Sequence, residues 1–113
     1  MPPRRRIPRR LDASAARELR LFIDNDAQLY RSQTVPIMAN LCRKIRKGIY
    51  SRPRAVKLWR YLVDNGAKKY AREFGTGIGD AAMIFPGVVR DHVARELGAH
   101  FERELRLGAI RCD

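Results

Sequence analysis

No stretch of the chain approaches the roughly 18 consecutive apolar residues that span a bilayer, so no transmembrane helix is expected. The N-terminus is charged, but no apolar segment follows it, and a secretory leader is not expected either. Cysteine is scarce: Cys42 and Cys112 lie 70 positions apart, with no Cys or His companions at ligand spacing. That excludes a zinc module and a disulfide-rich secreted scaffold, and makes an intracellular setting the expectation. Nowhere do apolar and polar residues alternate with period two, so strands are not expected, and no block repeats at a fixed period. The 113 residues leave room for one core and not two. An apolar fraction of 45% is too high for a wholly disordered chain.

Acid is missing from two tracts. Residues 1–11 hold Arg4, Arg5, Arg6, Arg9 and Arg10 and no carboxylate. Residues 43–72 hold eleven Lys and Arg against one acid, Asp64. The remaining segments are close to neutral, so the formal net charge of +12 comes from an arm and one central stretch. Charge concentrated in this way repels itself and costs stability, which points to a polyanionic partner rather than to solubility alone.

Helical periodicity accounts for the rest of the chain. Met1 to Leu11 carries three prolines and reads as an extended arm, with a single domain over 12–113. Asp12 or Ser14 supplies an N-cap, and Leu19, Phe22 and Ile23 share one face of the helix that follows. Asn25-Asp26 marks either a bend or a point through which that helix continues. Thr34-Val35-Pro36 predicts a new start, with Thr34 as cap and Pro36 in the first turn. Ile37, Met38, Leu41 and Ile45 then form the apolar side, with Arg43, Arg46 and Lys47 opposite and Gly48 as the C-terminal stop.

Ser51-Arg52-Pro53 opens the strongest helix, which runs to about Phe74. Its expected buried face is Ala55, Trp59, Leu62, Val63, Gly66, Tyr70 and Phe74. Arg54, Lys57, Tyr61, Asn65, Lys68 and Arg72 fall in one narrow stripe away from it. Gly66, unfavourable in mid-helix, implies the close approach of a neighbouring helix. Gly75 to Gly79 reads as an interhelical linker, since neither a P-loop ending nor dinucleotide spacing is present. A short turn from Ala81 to Phe85 precedes a last helix with Val89, Val93, Leu97, Phe101 and Leu105 at spacing four. The fold expectation is all-α: a compact bundle of four to five helices with an extended basic N-terminal arm.

Chemistry-bearing motifs are weak. His92 and His100 lie about 80° apart around their helix, without the i, i+4 arrangement of a metalloenzyme. Asp24-Asn25-Asp26 begins like a calcium loop but lacks the later ligands, and a helix-end cap is the better reading. No Gly-x-Ser-x-Gly elbow supports a catalytic triad. No catalytic residue, metal or cofactor is assigned, and an enzyme is not expected.

The string Phe22-Ile23-Asp24-Asn25-Asp26, Leu29-Tyr30-Arg31, Pro36-Ile37, Asn40-Leu41, Lys47-Gly48-Ile49-Tyr50, Leu58-Trp59-Arg60-Tyr61-Leu62-Val63-Asp64 and Ala67-Lys68-Lys69-Tyr70 resembles small basic helical proteins encoded by tailed phages. The similarity covers roughly residues 18 to 74, and Phe85-Pro86 with Val89-Arg90 extends it. That group carries no assigned activity, so the resemblance implies a phage or viral setting and supplies no site residues.

The cationic tracts carry the functional expectation. Arg43, Lys44, Arg46, Lys47, Arg52, Arg54, Lys57, Arg60, Lys68, Lys69 and Arg72 come from one helix end, a short turn and the following helix, hence antiparallel neighbours on which much of this charge converges, with Arg43, Arg46, Lys47, Arg52, Arg54, Lys57, Lys68 and Arg72 as its expected contacts. Tyr50 and Tyr61, within that group, are of the type that stacks on unpaired bases or packs against sugars, and each is equally readable as a half-buried boundary residue. With the arm arginines Arg4, Arg5, Arg6, Arg9 and Arg10, these residues are the candidate nucleic-acid contacts, directed mainly to the phosphate backbone of DNA or RNA. The rival expectations are a phage-encoded inhibitor of a host defence or transcription complex and a virion component on packaged genome. The expected location is the host cytoplasm or the virion.

Overall fold

The computed structural model describes residues 11–75, 82 and 84–112. The expectations for the arm, for most of the Gly75–Gly79 linker and for part of the Ala81–Phe85 turn fall outside these residues.

Helix α1 (Ala13–Asn25) starts at Asp12, whose Oδ1 accepts from the amides of Ser14 at 3.0 Å and Ala15 at 3.1 Å. Those are two of the donors that a helix start leaves unpaired, so Asp12, rather than Ser14, is the cap. The chain bends at Asp26, which is extended and caps α2 (Ala27–Leu29) by accepting from the Leu29 amide at 2.9 Å. The Asp24-Asn25-Asp26 run is thus a helix junction.

The expected α-helix does begin at Val35 with Pro36 in its first turn, but Thr34 does not cap it and no break precedes it. Thr34 is helical and makes no capping bond, and the chain passes through a π-helical turn (Tyr30–Thr34) directly into α3 (Val35–Arg46). Proline has no N–H, and its ring crowds the carbonyl four residues earlier. The wide turn, in which the Val35 amide reaches back to the Tyr30 carbonyl, resets the hydrogen-bond ladder just ahead of Pro36 and lets the helix run on. Together α2, the π-turn and α3 make one rod.

Gly48 ends that rod at φ +72°, a backbone conformation that a side chain disfavours. Its amide donates to the Ile45 carbonyl at 3.0 Å and the Ile49 amide to the Lys44 carbonyl at 2.9 Å, the paired closure of a Schellman motif. Four residues later the long helix α4 (Arg52–Phe74) is under way, with Pro53 in its first turn. The last helix, α5 (Gly87–Arg106), ends in a second closure of the same kind at Gly108.

Among the described residues four helical rods enclose one core, and there is no strand. α4 lies at the centre, burying Ala55, Trp59, Leu62, Val63, Gly66, Ala67 and Ala71 against α5, α1 and α3. α5 contributes Val89, Val93, Ala94, Leu97 and Phe101, and α1 contributes Leu19 and Ile23. Gly66 has the expected reason: a β-carbon there would sit 2.7 Å from Ile23 Cγ1, so α1 crosses α4 at this point. Phe74 departs from expectation and is 68% exposed. It lies at the end of α4, where its ring meets those of Phe22 and Tyr70 at the rim of the core, and Ala67 and Ala71 take the buried positions.

After α5 the chain folds back onto α3. Cys112 is bonded to Cys42, with their α-carbons 4.7 Å apart, and the Cys112 carbonyl accepts from Arg46 Nη1 at 3.1 Å. No local spacing signals this pairing, because it depends on two helices separating the cysteines in sequence. Among the described residues no helix is long and apolar enough to cross a membrane.

Candidate nucleic-acid interface

The α2–α3 rod runs antiparallel to α4. Near one end Lys69 Nζ lies 2.7 Å from Asp26 Oδ2 and donates to Gln28 Oε1 at 2.8 Å, and further along Asn65 Nδ2 donates to Gln33 Oε1 at 3.1 Å. Residue numbers rise on one rod as they fall on the other, as the short Lys47–Ser51 connection requires. These bonds hold the α4 stripe at the edge of the trough between the rods.

The structure sorts the cationic side chains of 43–72 into two groups. Three are ion-paired. Lys69 is held by Asp26, Arg52 meets Glu102 through Nη2 at 2.7 Å and also donates through Nε, and Arg60 meets Asp64 at 2.8 Å and also pairs with Asp91. Asp64, the one acid of the tract, is engaged a second time by Arg90 Nη1 at 2.9 Å. Arg46 serves the C-terminal tail, and Lys44 is half-buried with no ion pair among the described residues. Arg43, Lys47, Arg54, Lys57, Lys68 and Arg72 are all exposed, and none has an ion-pair partner among the described residues. Of the sequence candidates, therefore, Arg52 and Arg46 are tied into the fold and these six face solvent uncompensated. Arg4, Arg5, Arg6, Arg9 and Arg10 lie outside the described residues.

The two tyrosines separate cleanly. Tyr50 is half-buried and its hydroxyl donates to Glu102 Oε2 at 3.3 Å. Burial, aided by the neighbouring Glu102 charge, pushes its phenol up to about 12, so it is a neutral boundary residue. Arg52, assisted by the Tyr50 hydroxyl, holds the Glu102 carboxyl below its ordinary value, although burial opposes this. Tyr61 is 64% exposed, in the middle of the α4 stripe.

Two recesses open on either side of Tyr61. One, of about 260 Å³, has Pro36, Ile37 and Leu58 in its walls together with Asn40. The other, of about 310 Å³, is polar, with Gln28, Asn65, Lys68 and Arg72. Ser32, Gln33 and Tyr61 belong to both, so they form one trough. No protein-family model matches the chain, and neither does any curated protein or solved structure.

Sequence reasoning missed the ion pairs that remove Arg52 and Lys69 from the free set. Their partners, Glu102 and Asp26, lie on other rods at separations that no helical spacing encodes. His92 and His100 each face a glutamate one turn on, Glu96 at 3.2 Å and Glu104 at 3.5 Å. Among the described residues no three His, Cys, Asp or Glu side chains gather closely enough to hold a metal ion.

Proposed function

We propose that this protein is a nucleic-acid-binding protein that grips the phosphate backbone. The observation that carries the reading is the set of six exposed cations, Arg43, Lys47, Arg54, Lys57, Lys68 and Arg72, with no carboxylate partner among the described residues. A surface of this kind gains free energy by releasing counterions from a polyanion. No base-reading motif accompanies the six, so their contacts go mainly to the phosphate backbone, and affinity follows charge and depends little on sequence. The arm arginines Arg4, Arg5, Arg6, Arg9 and Arg10 add phosphate contacts, and the resemblance of residues 18 to 74 to phage-encoded proteins supports a viral setting, in the host cytoplasm or the virion. On this reading the protein binds and does not catalyse.

The test is the triple variant Lys57→Gln, Lys68→Gln, Arg72→Gln. Each site is exposed, so stability should change by no more than about 0.5 kcal/mol per substitution. The slope of log affinity for duplex DNA against log salt should fall by up to about 2.7, at roughly 0.9 per lost phosphate contact. A folded variant that binds with unchanged slope overturns the assignment and moves a host or virion protein complex to first place.

A further inference from the structure

Resting on that reading, we infer that the ligand is single-stranded nucleic acid, with one unpaired base stacked on the Tyr61 ring between two pairs of phosphate-binding cations. Four observations converge on this ring.

Tyr61 is one of the most exposed large side chains on the surface, and its hydroxyl makes no hydrogen bond among the described residues. The core does not use it, and tyrosine is a poorer helix former than the lysine or glutamate that an ordinary solvent face would carry. The cations bracket it along α4: Arg54 and Lys57 lie one to two turns before, Lys68 and Arg72 two to three turns after. From Arg54 to Arg72 the helix rises about 27 Å, long enough to follow several nucleotides of a strand.

The recesses to either side differ in chemistry as a nucleotide does. The Pro36, Ile37 and Leu58 walls offer a base-sized apolar floor, while Lys68 and Arg72 in the other recess suit a phosphate. Both share Tyr61, so a base lying on the phenol has its flanking phosphates within reach of the charges.

A duplex cannot use this arrangement, because both faces of each internal base are already covered by its neighbours. An extruded or single-stranded base presents a free π-face, and stacking on an aromatic side chain tolerates any base. The trough therefore adds a preference for unpaired strands to a surface that would otherwise hold any polyanion.

The experiment compares full-length protein with Tyr61→Ala and Tyr61→Phe against three probes: a labelled oligothymidylate of about 12 nucleotides, a duplex of the same length, and heparin. Tyr61→Ala should weaken oligothymidylate binding by about 5- to 150-fold, the loss that one stacked base represents. Duplex and heparin binding should stay within about twofold, and Tyr61→Phe should retain the single-strand affinity. Equal losses on all three probes, or no loss on oligothymidylate, overturn the stacking site. If Lys68→Gln with Arg72→Gln weakens every probe while Tyr61→Ala weakens none, phosphate binding stands and this inference alone falls. If the wild-type protein binds neither nucleic acid, both fall.

Discussion

Trp59 sits where three rods meet. Its ring centroid is 5.9 Å from that of Phe101, and a β-carbon at Gly98 would lie 3.3 Å from its Cδ1, so α5 presses close against it. Only 2% of its surface is exposed, and its indole Nε1 is buried with no acceptor among the described residues. Trp59→Ala should therefore cost about 3–5 kcal/mol, read as a lower urea midpoint, because the cavity left behind cannot collapse onto rigid helices. Trp59→Phe should cost much less, since it keeps most of the ring and removes the orphan donor. Asp26 sets a second expectation. The hydrogen bond from Lys69, and then that from the Leu29 amide, hold its carboxyl below the ordinary 3.8, and Arg52 does the same for Glu102 below 4.5. Both groups stay ionised longer in the folded protein than in the unfolded chain. Stability is thus fully present above about pH 4.5 and is lost as pH falls through the depressed folded values, where the unfolded state takes up the protons first. Asp26→Asn, which can still cap α2, should make the acid limb of a urea midpoint-versus-pH curve shallower.

The rods show which signals a sequence carries well. α1, α4 and α5 announce themselves because their apolar residues recur at spacing three and four, and the structure buries Leu19, Ile23, Trp59, Leu62, Val63, Val93 and Phe101 accordingly. Pro36 does stand in the first turn of α3, but the Thr34 cap fails, because a proline signal cannot distinguish a free helix start from a rod that tolerates the ring by widening the turn before it. Phe74 fails because periodicity continues past the point where partner helices end. The charge concentration behind the candidate interface is legible in composition, but the division of that charge into paired and free cations is not. That division depends on Glu102, Asp91 and Asp26, all supplied by other rods. Gly48 offers a test at this scale. Nothing lies within 4 Å of a β-carbon built on it, so Gly48→Ala meets no clash and should cost about 1 kcal/mol through the left-handed backbone alone. A urea midpoint equal to wild type would show that the closure of α3 does not need glycine.

At the scale of the whole molecule, the bond between Cys42 and Cys112 joins positions separated by 70 residues and ties the C-terminal tail to α3. Closing a loop of that size removes unfolded-state entropy equivalent to roughly 4 kcal/mol in the chain-entropy model. Reduction, or Cys112→Ser, should lower the melting temperature by roughly 15 °C or more if the loss is fully expressed, and thermal melts with and without reductant check it. In a reducing cytoplasm that contribution disappears, and the tail is then held by the Arg46 bond, its helix-closing amides and the packing of Ile110. The same bond sets how the chain comes apart under a protease. A single cut anywhere from residue 43 to 111 leaves both pieces covalently joined, so its mark appears only on a reducing gel. A cut before Cys42 releases a separate fragment at once. The two cationic tracts lie on opposite sides of this divide. The arm is shed by one cleavage, whereas the Arg43–Arg72 surface stays attached to its α5 support even after its backbone has been nicked.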